Sequence, residues 1–213
     1  MEHVPLMLAR GQASGEPLEV TSPWSGETVG TLDRADATAI NNALALATET
    51  FAARDGWLPA ERRGQILRTA ARLVAERRES LALGIAEEGG KLLVDASVET
   101  DRAVSSLELC ADAIRAEAGS EVPMGLDAAS TGRWAFTTHE PRGVVVAISA
   151  FNHPLNLIAH QVGPAVAAGC PFIVKPAEDT PLSCMRLISI LREAGLPEEW
   201  GQACVTTDVG AVS

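Results

Sequence analysis

The stretch GVVVAISAFNHPLNLIAHQVGPAVAAGCPFIVKPAED, residues 143 to 179, decides the fold. It opens on GVVVAI, residues 143 to 148, whose β-branched run suits a strand buried on both faces of a parallel sheet. Leu155, Ile158, Val162, Ala165 and Val166 then recur at helical spacing and Gly169 supplies a stop. PFIV, residues 171 to 174, begins a second strand, so the segment reads as one βαβ unit.

Downstream, Pro181 can open a second helix lined by Leu182, Met185, Ile188 and Leu191, with Gly195 and Pro197 as its stop. ACVT, residues 203 to 206, reads as a third strand. In a doubly wound sheet the first strand is central and later strands flank its other side. With three strands only, residues 143 to 148 are expected at an edge, carrying no charge, proline or bulge to blunt it.

Upstream, residues 17 to 32 read as two short strands around a turn at Ser25 and Gly26. Ile40, Ala43, Leu44, Ala47 and Phe51 line a helix that begins near an Asp36 cap. Pro59 permits a second helix, continued by Ile66, Ala70, Leu73, Val74, Leu81 and Ile85, and a third spans about 92 to 117. These stripes are read as packing surfaces without a function. From 120 to 139, Pro123, Gly125 and Gly132 punctuate a polar stretch before alternating Trp134, Phe136 and Thr138, as in a projecting hairpin. The expected divisions are 1–119, a hairpin and helical layer; 120–140, the projecting hairpin; and 141–213, the parallel sheet. No internal repeat is seen.

The 213 residues are 46% hydrophobic, enough for a sizeable core, and 17 basic against 28 acidic residues give a net charge of −11. That balance repels phosphate backbones and anionic membranes, and argues against nucleic-acid or membrane partners. No apolar run reaches the roughly 18 residues of a membrane span, and MEHVPLMLARGQASG lacks the flanks of a secretory signal, so a cytoplasmic location is expected. Cys110, Cys170, Cys184 and Cys204 have no paired metal-ligand spacing and read as buried thiols.

Ligands of open parallel sheets collect where strands end and loops lead into helices. Lys175 and Glu178 stand at such a place, and their ammonium and carboxylate can both hydrogen-bond ribose hydroxyls; the same spacing also suits a surface ion pair. Asn152, in the turn pinned by Pro154, can aim its amide at a ligand oxygen or satisfy its own backbone. His153 and His160 lie seven apart on one predicted helix face without a third ligand, so no metal site is expected. GIAEEGGKLL, residues 84 to 93, fails the phosphate-loop pattern because no Ser or Thr follows Lys91, and no Gly-x-Gly-x-x-Gly follows the first parallel strand.

Residues 141 to 197 closely resemble the aldehyde dehydrogenase superfamily, with its Pro-x-Gly-Val, Asn-x-Pro, Gly-Pro-Ala, Lys-Pro-x-Glu and Glu-Ala-Gly-Leu-Pro segments in order. SPWSGETVGTL and the three helices extend the likeness back to about residue 17. The resemblance implies a three-layer, Rossmann-like α/β fold with an N-terminal helical layer, incomplete relative to the family, and NAD as cofactor with NADP possible. It implies that Lys175 and Glu178 hold the adenosine ribose. Ile148, Ser149, Ala150 and Phe151 would line the cofactor path, and Asn152 would be the oxyanion donor to a small-molecule aldehyde. It further implies a homo-oligomer bridged by the 120–140 hairpin, or a complementing C-terminal chain. The sequence departs from the family text at Ala150-Phe151, usually Pro-Trp, and at Gln161, often Lys.

The family's nucleophilic cysteine and general-base glutamate lie beyond its Glu-Ala-Gly-Leu-Pro segment, and none of the four cysteines here stands in that context. The expectation is therefore an N-terminal cofactor-binding portion, inactive in aldehyde oxidation alone. The alternative is a non-catalytic nucleotide-binding or assembly module that docks on a partner.

Overall fold

The computed structural model describes residues 2–10, 13 and 16–206; the expected sheet segment from 207 to 213 lies outside the described residues. The N-terminal hairpin forms as read. β2 (Leu18–Thr21) and β3 (Thr28–Leu32) pair antiparallel around Gly26, whose φ of 70° needs a glycine. A strand not anticipated, β1 (Glu2–Val4), pairs parallel with β3, giving the order β1-β3-β2. Asp36 caps α1 (Ala37–Ala52), its side chain accepting from the Ala39 N–H at 2.8 Å.

The expected continuous helix from Pro59 to Ile85 is two helices, α2 (Ala60–Glu76) and α3 (Arg78–Gly89). The break falls at Arg77, which leaves helical geometry and grips Glu193 through two hydrogen bonds of 2.8 and 2.6 Å. Arg78 grips Asp101 in the same way, at 2.6 and 2.8 Å, so consecutive arginines anchor two different elements. The third helix, α4 (Leu93–Ala116), falls where expected, and β4 (Glu121–Val122) with β5 (Ala135–Phe136) forms the small antiparallel hairpin.

The remainder alternates strand and helix: β6 (Val145–Ile148), α5 (Asn156–Ala168), β7 (Phe172–Lys175), α6 (Pro181–Glu193) and β8 (Gly201–Ala203). The strands are parallel in the order β6-β7-β8. The third strand starts two residues earlier than the sequence suggests. Its first residue is glycine because an added Cβ would meet Leu196 at 2.5 Å and the Phe172 ring at 2.8 Å. β7 is buried on both faces, with Phe172 and Val174 toward α5 and α6 and Ile173 toward α1.

The reading of residues 143 to 148 as buried on both faces is corrected. Ala147 is buried, but Val146 and Ile148 are 55% and 58% exposed, because α1 packs over Ile173 of β7 and leaves its neighbours open. Among the described residues no strand pairs with the outer side of β6, whereas the far edge, β8, is covered by Met7 and its flank by Ala35, bonded to Val205. α4 packs against α5 closely enough that a Cβ on Gly163 would stand 3.0 Å from the Cys110 sulfur.

Two glutamates in the helical layer are sealed from solvent. Glu88 of α3 accepts the backbone N–H groups of Leu182 and Ser183, both at 2.8 Å, at the start of α6. Glu99 of α4 accepts those of Leu155 (2.9 Å) and Asn156 (3.1 Å) at the start of α5. Each carboxylate does for a distant helix what an N-cap side chain does locally, pairing orphan donors and complementing the positive end of the dipole. Burial pushes the Glu88 carboxyl above the usual carboxylate range, while Ser183, Leu182 and Arg186 pull it back.

Replacing Glu88 by alanine should leave two buried N–H groups unpaired. We expect Glu88→Ala to lower unfolding free energy by about 2 to 4 kcal/mol in denaturant titration. A change under roughly 0.5 kcal/mol, the range of a surface substitution, would contradict this role.

Candidate functional site

Two loops meet at the carboxyl end of the parallel sheet. The first follows β6 and carries Ser149, Ala150, Phe151, Asn152, His153 and Pro154; the second follows β7 and runs from Pro176 to Thr180. The Thr180 hydroxyl donates to the Phe151 carbonyl at 3.0 Å and ties them together. Pro181 at the first turn of α6 forgoes an N–H that would have no partner there, and the next two N–H groups go to Glu88.

Lys175 ends β7 with its ammonium 3.2 Å from Glu178, a partly exposed pair bracketing the strand end. Ile148 ends β6 directly opposite Lys175 in the parallel register. Its N–H and C=O, which have no further strand to bond, are both taken by the Gln161 side chain at 3.1 and 3.0 Å. Ser149 is buried with its hydroxyl on the Ala150 carbonyl, Ala150 is half-buried, and Phe151 and Ile148 are exposed. These residues follow one another along the ends of β6 and β7, with Ser149 buried beneath them.

A cleft of about 720 Å³ opens beside this surface, between the loops, β2 and the end of α3. Phe151, Asn152, Pro154, Glu178, Asp179 and Thr180 line one wall, and Lys91 and Thr21 contribute to the other. Phe151, Asn152 and Glu178 thus share a cavity, whereas Lys175, Ile148, Ser149 and Ala150 stand outside it. Asn152 is exposed, and its carbonyl accepts from Lys91 Nζ at 2.7 Å.

Sequence reasoning missed Lys91, Glu88 and Glu99. A signal existed: Glu99 falls among Ala96, Thr100, Ala103 and Ser106 on the buried face of α4, where a carboxylate must have partners. His153 and His160 do not share a helix face. His153 precedes α5 and contacts Lys91, whereas His160 lies within α5 and bonds Ser106 at 3.2 Å. Among the described residues no three His, Cys, Asp or Glu side chains gather as metal ligands, and no helix is long and apolar enough to cross a membrane.

A model described as the aldehyde dehydrogenase family matches residues 10–211. The aspartate-semialdehyde dehydrogenase 1 of Pseudomonas canavaninivorans is 41% identical over 182 residues, covering 85% of this chain and 38% of that protein. Aldehyde dehydrogenase 21 from Physcomitrella patens, solved with the reaction product succinate, superposes with a TM-score of 0.90 at 28% identity, over 97% of this chain and 44% of that one. An NAD-dependent aldehyde dehydrogenase from Sinorhizobium meliloti gives 0.89 at 27% identity, over 98% and 42%. The chain therefore spans about two fifths of the length of the relatives it matches.

The cysteines are largely withdrawn from solvent. Cys170, Cys184 and Cys204 are buried and Cys110 is half-buried. Burial pushes the Cys184 thiol far up, with the Glu88 charge adding to it, and pushes Cys204 up to about 11 despite the pull of Lys175. At neutral pH Cys204 is then overwhelmingly the protonated thiol. We expect its alkylation by iodoacetamide in the folded chain to quicken about tenfold per pH unit from 7 to 10, read by peptide mass spectrometry. A plateau at about pH 8.5, the ordinary thiol range, would show that burial does not raise this thiol.

Proposed function

The chain belongs to the aldehyde dehydrogenase family, and from that premise we propose that it forms the N-terminal, cofactor-binding part of an enzyme oxidising an aldehyde to an acid with NAD, or NADP in its place. The observation that carries this is the Lys175–Glu178 pair at the carboxyl end of β7, one loop away from Asn152. A donor-only ammonium beside an acceptor carboxylate fits the vicinal hydroxyls of a ribose, each of which can both give and take a hydrogen bond. The exposed Ile148 and Phe151 add apolar surface for the same ligand, with Ala150 half-buried between them and Ser149 beneath.

The dinucleotide, when bound, supplies the hydride acceptor. The residues of this chain hold and orient. Lys175 and Glu178 take the ribose. Asn152 donates its amide N–H to the aldehyde oxygen as negative charge builds there. The nucleophile and the general base are assigned to a further segment, in this chain's continuation or in a partner, because none of the four cysteines stands in the family's nucleophile context and three of them are buried.

The β6 edge, which no other strand pairs with among the described residues, bears on partners. Val146 and Ile148 lie exposed on a strand with no charge or proline to blunt it, and Trp134 and Phe136 of the β5 hairpin are 87% and 76% exposed. On this reading the 213 residues self-associate or pair with a complementing chain through these surfaces. Light scattering should report a species larger than a monomer, reduced by Val146→Lys. A monodisperse monomer would remove the partner from the reading.

Calorimetric titration tests the cofactor assignment. NAD should bind a few-fold more tightly than NADP, because Glu178 repels a 2′-phosphate, and Glu178→Gln should narrow the gap. Tighter NADP binding, or an unchanged preference in the variant, would defeat the assignment. The 213 residues alone should form no NADH with a panel of aldehydes; turnover abolished by mutating one of the four cysteines would overturn the missing-nucleophile argument. In an enzyme completed by the segment carrying the nucleophile, Asn152→Ala should cost about a hundred- to a thousandfold in kcat with NAD affinity preserved. Normal turnover would return Asn152 to a turn residue.

A further inference from the structure

Asn152 is held through its backbone. Lys91, in the connection between α3 and α4, donates from Nζ to the Asn152 carbonyl at 2.7 Å and to Glu99 Oε2 at 2.5 Å, and stands 2.9 Å from His153 Nδ1. The same His153 nitrogen is 3.3 Å from Glu99 Oε2. Glu99 is fully buried and its other oxygen is committed to the N–H groups of Leu155 and Asn156. Lys91 and His153 therefore converge on a single acceptor.

An ammonium has three N–H bonds and no lone pair, and here its three partners are Glu99, the Asn152 carbonyl and His153. For the third contact to be a hydrogen bond, His153 Nδ1 must be the acceptor, which is the neutral ring. A proton added at Nδ1 turns that acceptor into a donor. The imidazolium then repels the Lys91 ammonium and competes with it for Glu99 Oε2.

We propose that Lys91 is a positioning residue that fixes the Asn152 turn, and that protonation of His153 loosens this hold, so that the orientation of the Asn152 amide depends on pH. The hold is a property of this chain alone; its consequence for chemistry rests on reading Asn152 as the donor to an aldehyde oxygen. The cleft that Lys91 and Asn152 line, and His153 does not, also carries Glu19 of β2, the buried Glu88 of α3, and Glu178 and Asp179 of the loop after β7. On α5, His160 is occupied with Ser106. Among the described residues Glu99 is the carboxylate within ion-pair distance of His153, so it receives the proton-bearing ring.

The test is a pH titration of the isotopically labelled full chain by NMR between about pH 5 and 8, the range in which imidazoles change charge. The backbone and side-chain amides of Asn152 should move with the same midpoint as the His153 ring. In His153→Phe the Asn152 signals should not move over that range. In Lys91→Ala the ring should still titrate while Asn152 no longer follows it, and Lys91→Arg should restore part of the coupling. Should Lys91→Ala fail to fold, His153→Phe decides. Asn152 signals that stay fixed while His153 titrates, or that titrate equally in His153→Phe, would overturn the proposal. NAD titration of the same samples separates the two readings. Coupled shifts without NAD binding refute the cofactor assignment alone, and NAD binding with uncoupled shifts refutes the positioning alone.

Discussion

Glu88 and Glu99 are carboxylates with no water around them, and each is answered by two backbone N–H groups belonging to a helix far away in sequence. A helix start leaves its first N–H groups without intrahelical partners, and where that start is buried something must supply acceptors. In α5 and α6 the supply comes from the helical layer. The loops that begin those helices are the loops that face the candidate ligand. Their placement therefore depends on α3 and α4 packing correctly, and the N-terminal half serves as the support for the site as well as its cover. The arrangement has a cost: burying a carboxylate disfavours its charged form, and for Glu88 the hydrogen bonds from Ser183 and Leu182, with the Arg186 charge, offset part of it.

The β6 end shows the same accounting of polar groups. Ile148 has a free N–H and C=O because its strand is an edge, and Gln161 answers both. A lysine at position 161, as often found in the family, could donate to the carbonyl but could not accept from the N–H. The departure from the family text at Gln161 thus has a local purpose in this chain. Gln202 does similar work at the opposite edge, buried in β8 with its amide on the Ala43 carbonyl and its oxygen taking the Ala9 N–H.

The βαβ alternation was legible because valine runs, glycine stops and proline starts are local signals. Lys175 and Glu178 were legible for the same reason: three residues apart after a strand, they had to meet near its end. What depends on coverage was not legible. GVVVAI has the composition of a strand buried on both faces, yet only a neighbour on each face can bury it, and α1 stops short of β6. The break at Arg77 carries no glycine or proline and is fixed by Glu193, 116 residues away. Glu99 could have been placed on the buried face of its helix from Ala96, Thr100, Ala103 and Ser106, but neither its partners nor those of Glu88 could be read from the pattern. Their partners lie more than fifty residues downstream, and no spacing rule reaches that far. The Asn152 turn could be seen from Pro154; the lysine that holds its carbonyl, 61 residues earlier, could not.

Hydrogen exchange at the first amides of α5 and α6 tests the central claim most directly. First-turn amides of an uncapped helix exchange readily because they lack intrahelical partners. If the buried glutamates hold these helix starts, Leu155, Asn156, Leu182 and Ser183 should be protected as strongly as amides in the middle of α5 and α6. Exchange at these four positions at the rate of an open helix terminus, with the helix interiors protected, would contradict the account.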